Sequence, residues 1–189
     1  MSIGITEDHR SLQQSVQGWA ERAGLRAAAR AVAEGETDAS PWSAVADQGL
    51  LGLAIDEEHG GSGASVVELA IAVEELGRTL GPLSFLPTVL TSLIVARLAP
   101  PDVAKVWLPR LVDGSTRAAI ELSPGAGALG AANADLVLVA EPDGWSLVES
   151  SGLEIAPGPK VDPTRAVDAV RVRPGAERIP LTGVTAQQV

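Results

Sequence analysis

The chain has 189 residues, is 46% hydrophobic, and carries 14 Lys and Arg against 24 Asp and Glu, a formal charge of −10. That apolar content excludes intrinsic disorder and suits one ordinary domain or two small ones. The acid excess argues against nucleic acid and anionic membranes as partners. Cysteine is absent and His9 and His59 are the two histidines, so disulfides, thiolate nucleophiles, iron–sulfur clusters and multi-histidine metal sites drop out. No basic segment followed by an apolar run opens the chain, and the apolar stretch 86–96 is broken by Pro87, Thr88, Thr91 and Ser92. The expectation is a cytoplasmic protein without a membrane span.

Up to about residue 112 the apolar residues recur at helical spacing. Thr6 is placed to cap a first helix, with Glu7 and Asp8 in its first turn and Leu12, Val16, Trp19, Ala20 and Ala23 on one face. Gly24 interrupts, and Leu25 to Ala33 forms a second, Ala-rich helix. Ser40 and Pro41 predict an N-cap and first helical residue for a helix through Trp42, Val45, Ala46 and Gly49. The apolar run 49–56 leads into Glu57-Glu58-His59-Gly60-Gly61-Ser62-Gly63, whose glycines predict positive φ or close backbone approach. Ser65 and Glu68 make a capping box. The helix it opens is expected to bury Leu69, Val73, Leu76, Gly77 and Leu80 and to end at Gly81-Pro82. Another helix covers Pro87 to Leu98. A last one starts at Asp102, carries Val103, Val106, Trp107 and Leu111, and is expected to kink or stop at Pro109.

Strands are predicted at 117–123, 134–141, 145–149 and 167–172 from β-branched content or alternation, with Pro142-Asp143-Gly144 as a hairpin turn. The tail after Pro174 shows little pattern. Gly125, Gly127 and Gly130 match G-x-G-x-x-G. A dinucleotide fold needs a helix after the third glycine, and a strand at 134–141 leaves no room for it. A Gly/Ala-rich connection between strands is the better reading. His59 beside Glu57 and Glu58 suits a polar loop better than a general base. Ser62 lies outside any G-x-S-x-G elbow. Trp19, Trp42 and Trp107 sit on apolar helical faces and read as core; Trp145 lies on a strand. Physics alone thus predicts an α+β chain with a helical N-terminal domain and the start of a β domain.

The order of these pieces resembles the acyl-CoA dehydrogenase family. The residues that carry the likeness are Ile5-Thr-Glu-Asp-His-Arg10, Leu50-Leu-Gly-Leu-Ala-Ile-Asp-Glu-Glu-His-Gly-Gly-Ser-Gly63, Val73-Glu-Glu-Leu-Gly77, Trp107-Leu-Pro-Arg-Leu-Val-Asp-Gly114 and Asp162-Pro-Thr-Arg165. The last is similar to a turn of actinobacterial members linked to steroid breakdown. His59 stands where an aromatic is usual.

The resemblance implies a helical domain, a β barrel and a C-terminal helical bundle around FAD and an acyl-CoA thioester, which is dehydrogenated across its α,β bond; on this chain it implies an N-terminal all-α domain, 1–114, then an antiparallel β-barrel-like domain, 115–189, shortened or incomplete. The family's Leu-Thr-Glu-Pro-x-Ala-Gly-Ser segment corresponds to Leu122-Ser-Pro-Gly-Ala-Gly-Ala128, so Leu122, Ser123, Gly125, Ala126 and Gly127 are the cofactor-binding candidates. The Glu of that motif is missing and Ala128 replaces its Ser. Between Gly130 and Ala134 there is no room for the family's flavin-side hairpin. The C-terminal bundle, with the catalytic base, is absent, so no residue here is assigned to catalysis and no metal is implied. Two readings follow. One is an FAD-dependent dehydrogenase subunit acting on a steroid side-chain or fatty acyl-CoA, whose base comes from a missing C-terminal part or a partner. The other is a non-catalytic structural subunit of a heteromer formed with a paralogue. Either implies a homo- or hetero-oligomer. An unrelated α+β ligand-binding domain is the third option.

Overall fold

The computed structural model describes residues 4–36, 41–142, 144–158, 162 and 164–181. Six helices occupy its first part: α1 Glu7–Arg22, α2 Leu25–Ala33, α3 Trp42–Ala46, α4 Val66–Arg78, α5 Phe85–Leu98 and α6 Pro101–Val112. Seven strands follow: β1 Ala118–Glu121, β2 Ala128–Leu129, β3 Leu136–Glu141, β4 Gly144–Glu149, β5 Leu153–Ala156, β6 Val167–Val172 and β7 Ile179–Leu181. They form one curled, partly open sheet ordered β5-β6-β2-β1-β3-β4-β7. Every pairing is antiparallel except β1 with β3, which run parallel. The described residues contain no C-terminal helical bundle.

Local chemistry explains the helix starts. Thr6 accepts the His9 amide and the His9 ring accepts the Thr6 amide, which closes a capping box on α1. Ser65 and Glu68 close the same device on α4. The two boxes interlock, because the His9 Nε2 lies 2.9 Å from the Glu68 carboxylate. Since Nδ1 accepts from Thr6, Nε2 carries the proton and donates to Glu68. The Glu68 carboxyl is lowered to about 2, first by the Ser65 hydroxyl, then by its own amide and by His9.

Several helical expectations are corrected. Trp42 opens α3 with Pro41 at the cap position, and α3 ends at Ala46; Ser40 lies outside the described residues. Gly77, inside α4, and Leu80, past its end at Arg78, both face solvent rather than the core. Leu80 adopts φ 57°, and the Gly81 amide reaches back to the Leu76 carbonyl at 2.7 Å, closing the helix end. α5 starts two residues before Pro87. α6 runs through Pro109, and Val106 is exposed. A proline inside a helix costs about 3 kcal/mol. Here the fully buried Leu108 and Leu111 anchor α6 on the core and offset it.

Three apolar clusters hold the chain together. α1–α5 enclose Val16, Leu25, Val45, Leu51, Leu69 and Leu76. α5 and α6 pack on one face of the sheet through Val95, Leu108, Leu111, Ile120, Leu138 and Leu147. The other face buries Ala119, Val137, Val139 and Val148. Thr88, fully buried on α5, ties helix to sheet: its hydroxyl accepts the Ala118 amide at 3.0 Å. At the α6–β1 connection, the Trp42 indole donates to the Gly114 carbonyl at 2.7 Å.

Candidate functional site

The candidate loop hangs between β1 and β2. β1 alternates: Ala118 and Ile120 face the helices, while Ala119 joins the cluster on the opposite face. Glu121 continues the Ala119 side and is 3% exposed. The chain then turns outward. Residues 122–126 are exposed, and Leu122, at 64%, is the most exposed large apolar side chain among the described residues. Ser123, Pro124, Gly125 and Ala126 form a β-turn closed by the Ala126 amide on the Ser123 carbonyl at 3.0 Å. Proline at the second position and Gly125 at φ 76° in the third are the residues a type II turn selects.

The amide of the third residue in such a turn points away from the turn's own hydrogen bond and needs another acceptor. Glu121 supplies it: Gly125 donates to the Glu121 Oε1 at 2.9 Å. Burial raises the Glu121 carboxyl, while backbone amides of Gly125, Ala140 and Gly127 hold it down. Gly127, at φ 84°, must be glycine for a second reason: an added Cβ would lie 3.0 Å from the Asp168 carbonyl of β6. A Cβ on Gly125 would meet nothing within 4 Å. The loop is therefore anchored at Glu121 and Gly127 and open between them.

The stretch after the loop is short and fully employed. Ala128 and Leu129 pair with both β1 and β6. Ala131–Asn133 is a single 3-10 turn. The Gly130 amide bonds the Ala166 carbonyl, and the Ala132 amide bonds the buried Asp168 carboxylate, each at 2.9 Å. The glycines of the G-x-G-x-x-G match thus lie in a strand–turn connection, with no helix behind Gly130.

Leu122, Ser123, Gly125 and Ala126 are exposed and Gly127 is half-buried, so the loop presents a hydroxyl, small side chains and open backbone to solvent. The stretch in which the family resemblance places a hairpin is the 3-10 turn Ala131–Asn133. Two clefts lie elsewhere. One, of about 220 Å³, lies between α2, the Leu80–Ser84 turn and Arg117; the other, of about 400 Å³, lies between α6 and β4. None of residues 122–127 lines either.

The Gly-rich segment 57–63 brings no chemistry together. His59 sits 3.7 Å from Glu58 on a 3-10 turn, and the Ser62, Gly63 and Ala64 amides bond the carbonyls of Gly52, Ile55 and Leu53. Among the described residues no three His, Asp or Glu side chains are grouped to hold a metal. No helix there is long and apolar enough to cross a membrane. Sequence reasoning missed Glu121. The signal was the alternation of β1, which sends residue 121 inward.

The architecture is a helical layer on a curled, partly open half-barrel, with a short Pro-Gly turn after its first strand. The profile of "Acyl-CoA dehydrogenase, N-terminal domain" matches residues 6–115. The chain belongs to the acyl-CoA dehydrogenase family. The acyl-CoA dehydrogenase IpdE2 of Mycolicibacterium smegmatis is 30% identical over 172 residues, 88% of this chain and 52% of that protein. Among solved structures, a variant of the Tcur3481-Tcur3483 steroid ACAD superposes with TM-score 0.74 at 25% identity, over 90% of this chain and 57% of that one. The ChsE4-ChsE5 complex of Mycobacterium tuberculosis shares the fold with TM-score 0.78 at 22% identity, over 96% and 59%. The chain spans 21% to 52% of the length of the curated relatives it matches.

Proposed function

We propose that this chain is a non-catalytic structural subunit of a heteromeric acyl-CoA dehydrogenase that acts on an acyl-CoA thioester in the cytoplasm. Residues 1–114 act as its helical domain and 115–189 as its β domain. The observation that carries this reading is the one-sided loop. Ser123, Ala126 and Gly127 line one wall, and a single 3-10 turn, Ala131–Asn133, stands where a second wall would rise. FAD then belongs to the assembly, with the facing wall supplied by a paralogous partner. The similarity to a two-component steroid ACAD and to the ChsE4-ChsE5 complex supports a heteromer. It also favours a steroid side-chain or fatty acyl group as substrate.

Bound in the assembly, the flavin would supply hydride chemistry at the substrate's β-carbon. This chain's part is positional. The Ser123 hydroxyl and the open backbone of Leu122 and Ala126 would orient the ring. Leu122 would be covered on assembly, which removes its apolar surface from water at about 25 cal/mol per Å².

A second reading has an observation of its own. The loop is open and has a hydroxyl in place, so this chain forms part of a working α,β-dehydrogenation site whose base comes from a partner or from further chain. Co-expression with a neighbouring paralogue, followed by size-exclusion chromatography, tests the assembly. A stoichiometric complex is expected. A stable homo-oligomer that keeps FAD and turns over alone would overturn the structural-subunit reading.

A further inference from the structure

The 122–127 loop is held in shape by contacts within the chain itself. The Gly125 amide has no acceptor within its own turn, and the one it finds is the Glu121 carboxylate at 2.9 Å. That carboxylate is buried on the sheet face shared by Ala119, Val137 and Val139, where water does not compete. Glu121 also sits across from Ala128 in the β1–β2 ladder, so its backbone is fixed at the loop's two ends together. The nearby buried acid Asp168 is engaged elsewhere, with the Ala132 amide. A buried carboxylate that accepts amides from a surface turn restrains that turn as a bound anion would.

We infer that Glu121 is the positioning residue of the 122–127 loop: its carboxyl group holds the Gly125 amide inward and thereby turns Leu122, Ser123 and Ala126 outward. The inference deepens the reading of this loop as a flavin wall. Its consequence for flavin rests on that reading; its consequence for the free chain does not. Glu121 touches no ligand in this role. It acts through the backbone that would.

Two variants separate the acceptor from the shape. Glu121→Gln keeps an oxygen acceptor, and Glu121→Met keeps the length and removes it. Amide hydrogen exchange of the flavin-free 189-residue chain is the readout. In Glu121→Met the Gly125 amide should exchange about tenfold faster or more, while Leu138 in β3 stays as in the wild type. In Glu121→Gln, Gly125 should stay within about threefold of the wild type.

Three results would overturn the inference. These are a Gly125 amide that stays protected in the Met variant, a Gln variant that loses as much as Met, and a Leu138 amide that loosens in parallel. If the Met variant fails to fold, the wild-type chain decides. Its Gly125 amide resonance must follow the titration of the Glu121 carboxyl carbon, and an amide that ignores it refutes the contact. A second arm uses the co-expressed assembly. FAD retention should fall about tenfold in Glu121→Met and hold in Glu121→Gln. An assembly that binds no FAD even in the wild type refutes the flavin-wall reading, while the exchange result still decides the role of Glu121.

Discussion

Two glycine-rich turns in this chain look alike on paper and behave in opposite ways. In the 57–63 segment, Gly61 lies against backbone: a Cβ there would stand 1.9 Å from the Ile55 carbonyl oxygen and 2.7 Å from that of Gly52. In the 122–127 segment, Gly125 faces open space. The first turn uses glycine to let two stretches of chain touch. It closes the helical layer under α6, where Val112 lies within 2.6 Å of a Cβ built on Gly52. The second uses Gly125 to make a turn that touches nothing outward, while Gly127 at its foot packs against β6. A count of glycines does not separate the two. What each missing Cβ would meet does.

Substitutions sharpen this contrast. Gly61→Ala should cost more than about 3 kcal/mol, because backbone must move to admit a methyl group. Gly125→Ala should cost about 1 kcal/mol, the strain of a left-handed alanine alone. Denaturant unfolding of the two variants checks the difference, and equal losses would erase the distinction between a packed turn and an open one.

The tie between the layers comes next in size. Thr88→Val removes the acceptor of the buried Ala118 amide and should cost about 2 kcal/mol. It should be read as a lower midpoint with an unchanged denaturant slope.

A smaller effect is expected at the interlocked caps. Glu68→Ala should cost about 1 kcal/mol near neutral pH. The folded carboxyl is lowered to about 2 from an ordinary 4.5, so its stabilising contribution is complete above 4.5 and is lost as pH falls toward 2. The wild type and the variant should therefore converge in stability across that window. A constant gap down to pH 2 would contradict the cap assignment.

Glu121 has the opposite sign. Burial raises its carboxyl, so ionisation weakens the fold as pH climbs above 4.5. The stability of Glu121→Gln relative to wild type should improve over that rise. The smallest expected change is Ser123→Ala, within about 0.5 kcal/mol in stability because the residue is exposed. Its effect should appear in flavin retention by the assembly.

Much of the helical layer was legible because its signals are local. Thr6, Ser65 with Glu68, and the breaks at Gly24 and Pro100-Pro101 act within a turn or two. α2 falls on Leu25–Ala33 as the Ala-rich run predicts. Long-range partners explain the failures. β2 is two residues long and exists because β1 and β6 flank it. β7 lies in a tail without pattern and is held by β4. β5 alternates over only Leu153, Glu154 and Ile155, too short a run to read as a strand, and is fixed by β6. Pro109 argues locally for a helix end, and the packing of Leu108 and Leu111 overrides it. At the site, the loop was found through likeness to a family motif. Glu121, its anchor, was invisible to that likeness because the family motif begins one residue later. β3 and β4 pair antiparallel from Glu141 with Gly144 onward; of the predicted turn Pro142-Asp143-Gly144, Gly144 opens β4 and Asp143 lies outside the described residues.

The most direct test of the central claim is flavin content and turnover measured side by side. The purified 189-residue chain and its complex with a paralogous subunit are compared for bound-flavin absorbance and for dye-coupled oxidation of CoA thioesters. A one-walled subunit predicts no retained flavin and no turnover for the chain alone, with both present in the complex. A chain that holds stoichiometric FAD and oxidises a CoA thioester unaided would contradict the account.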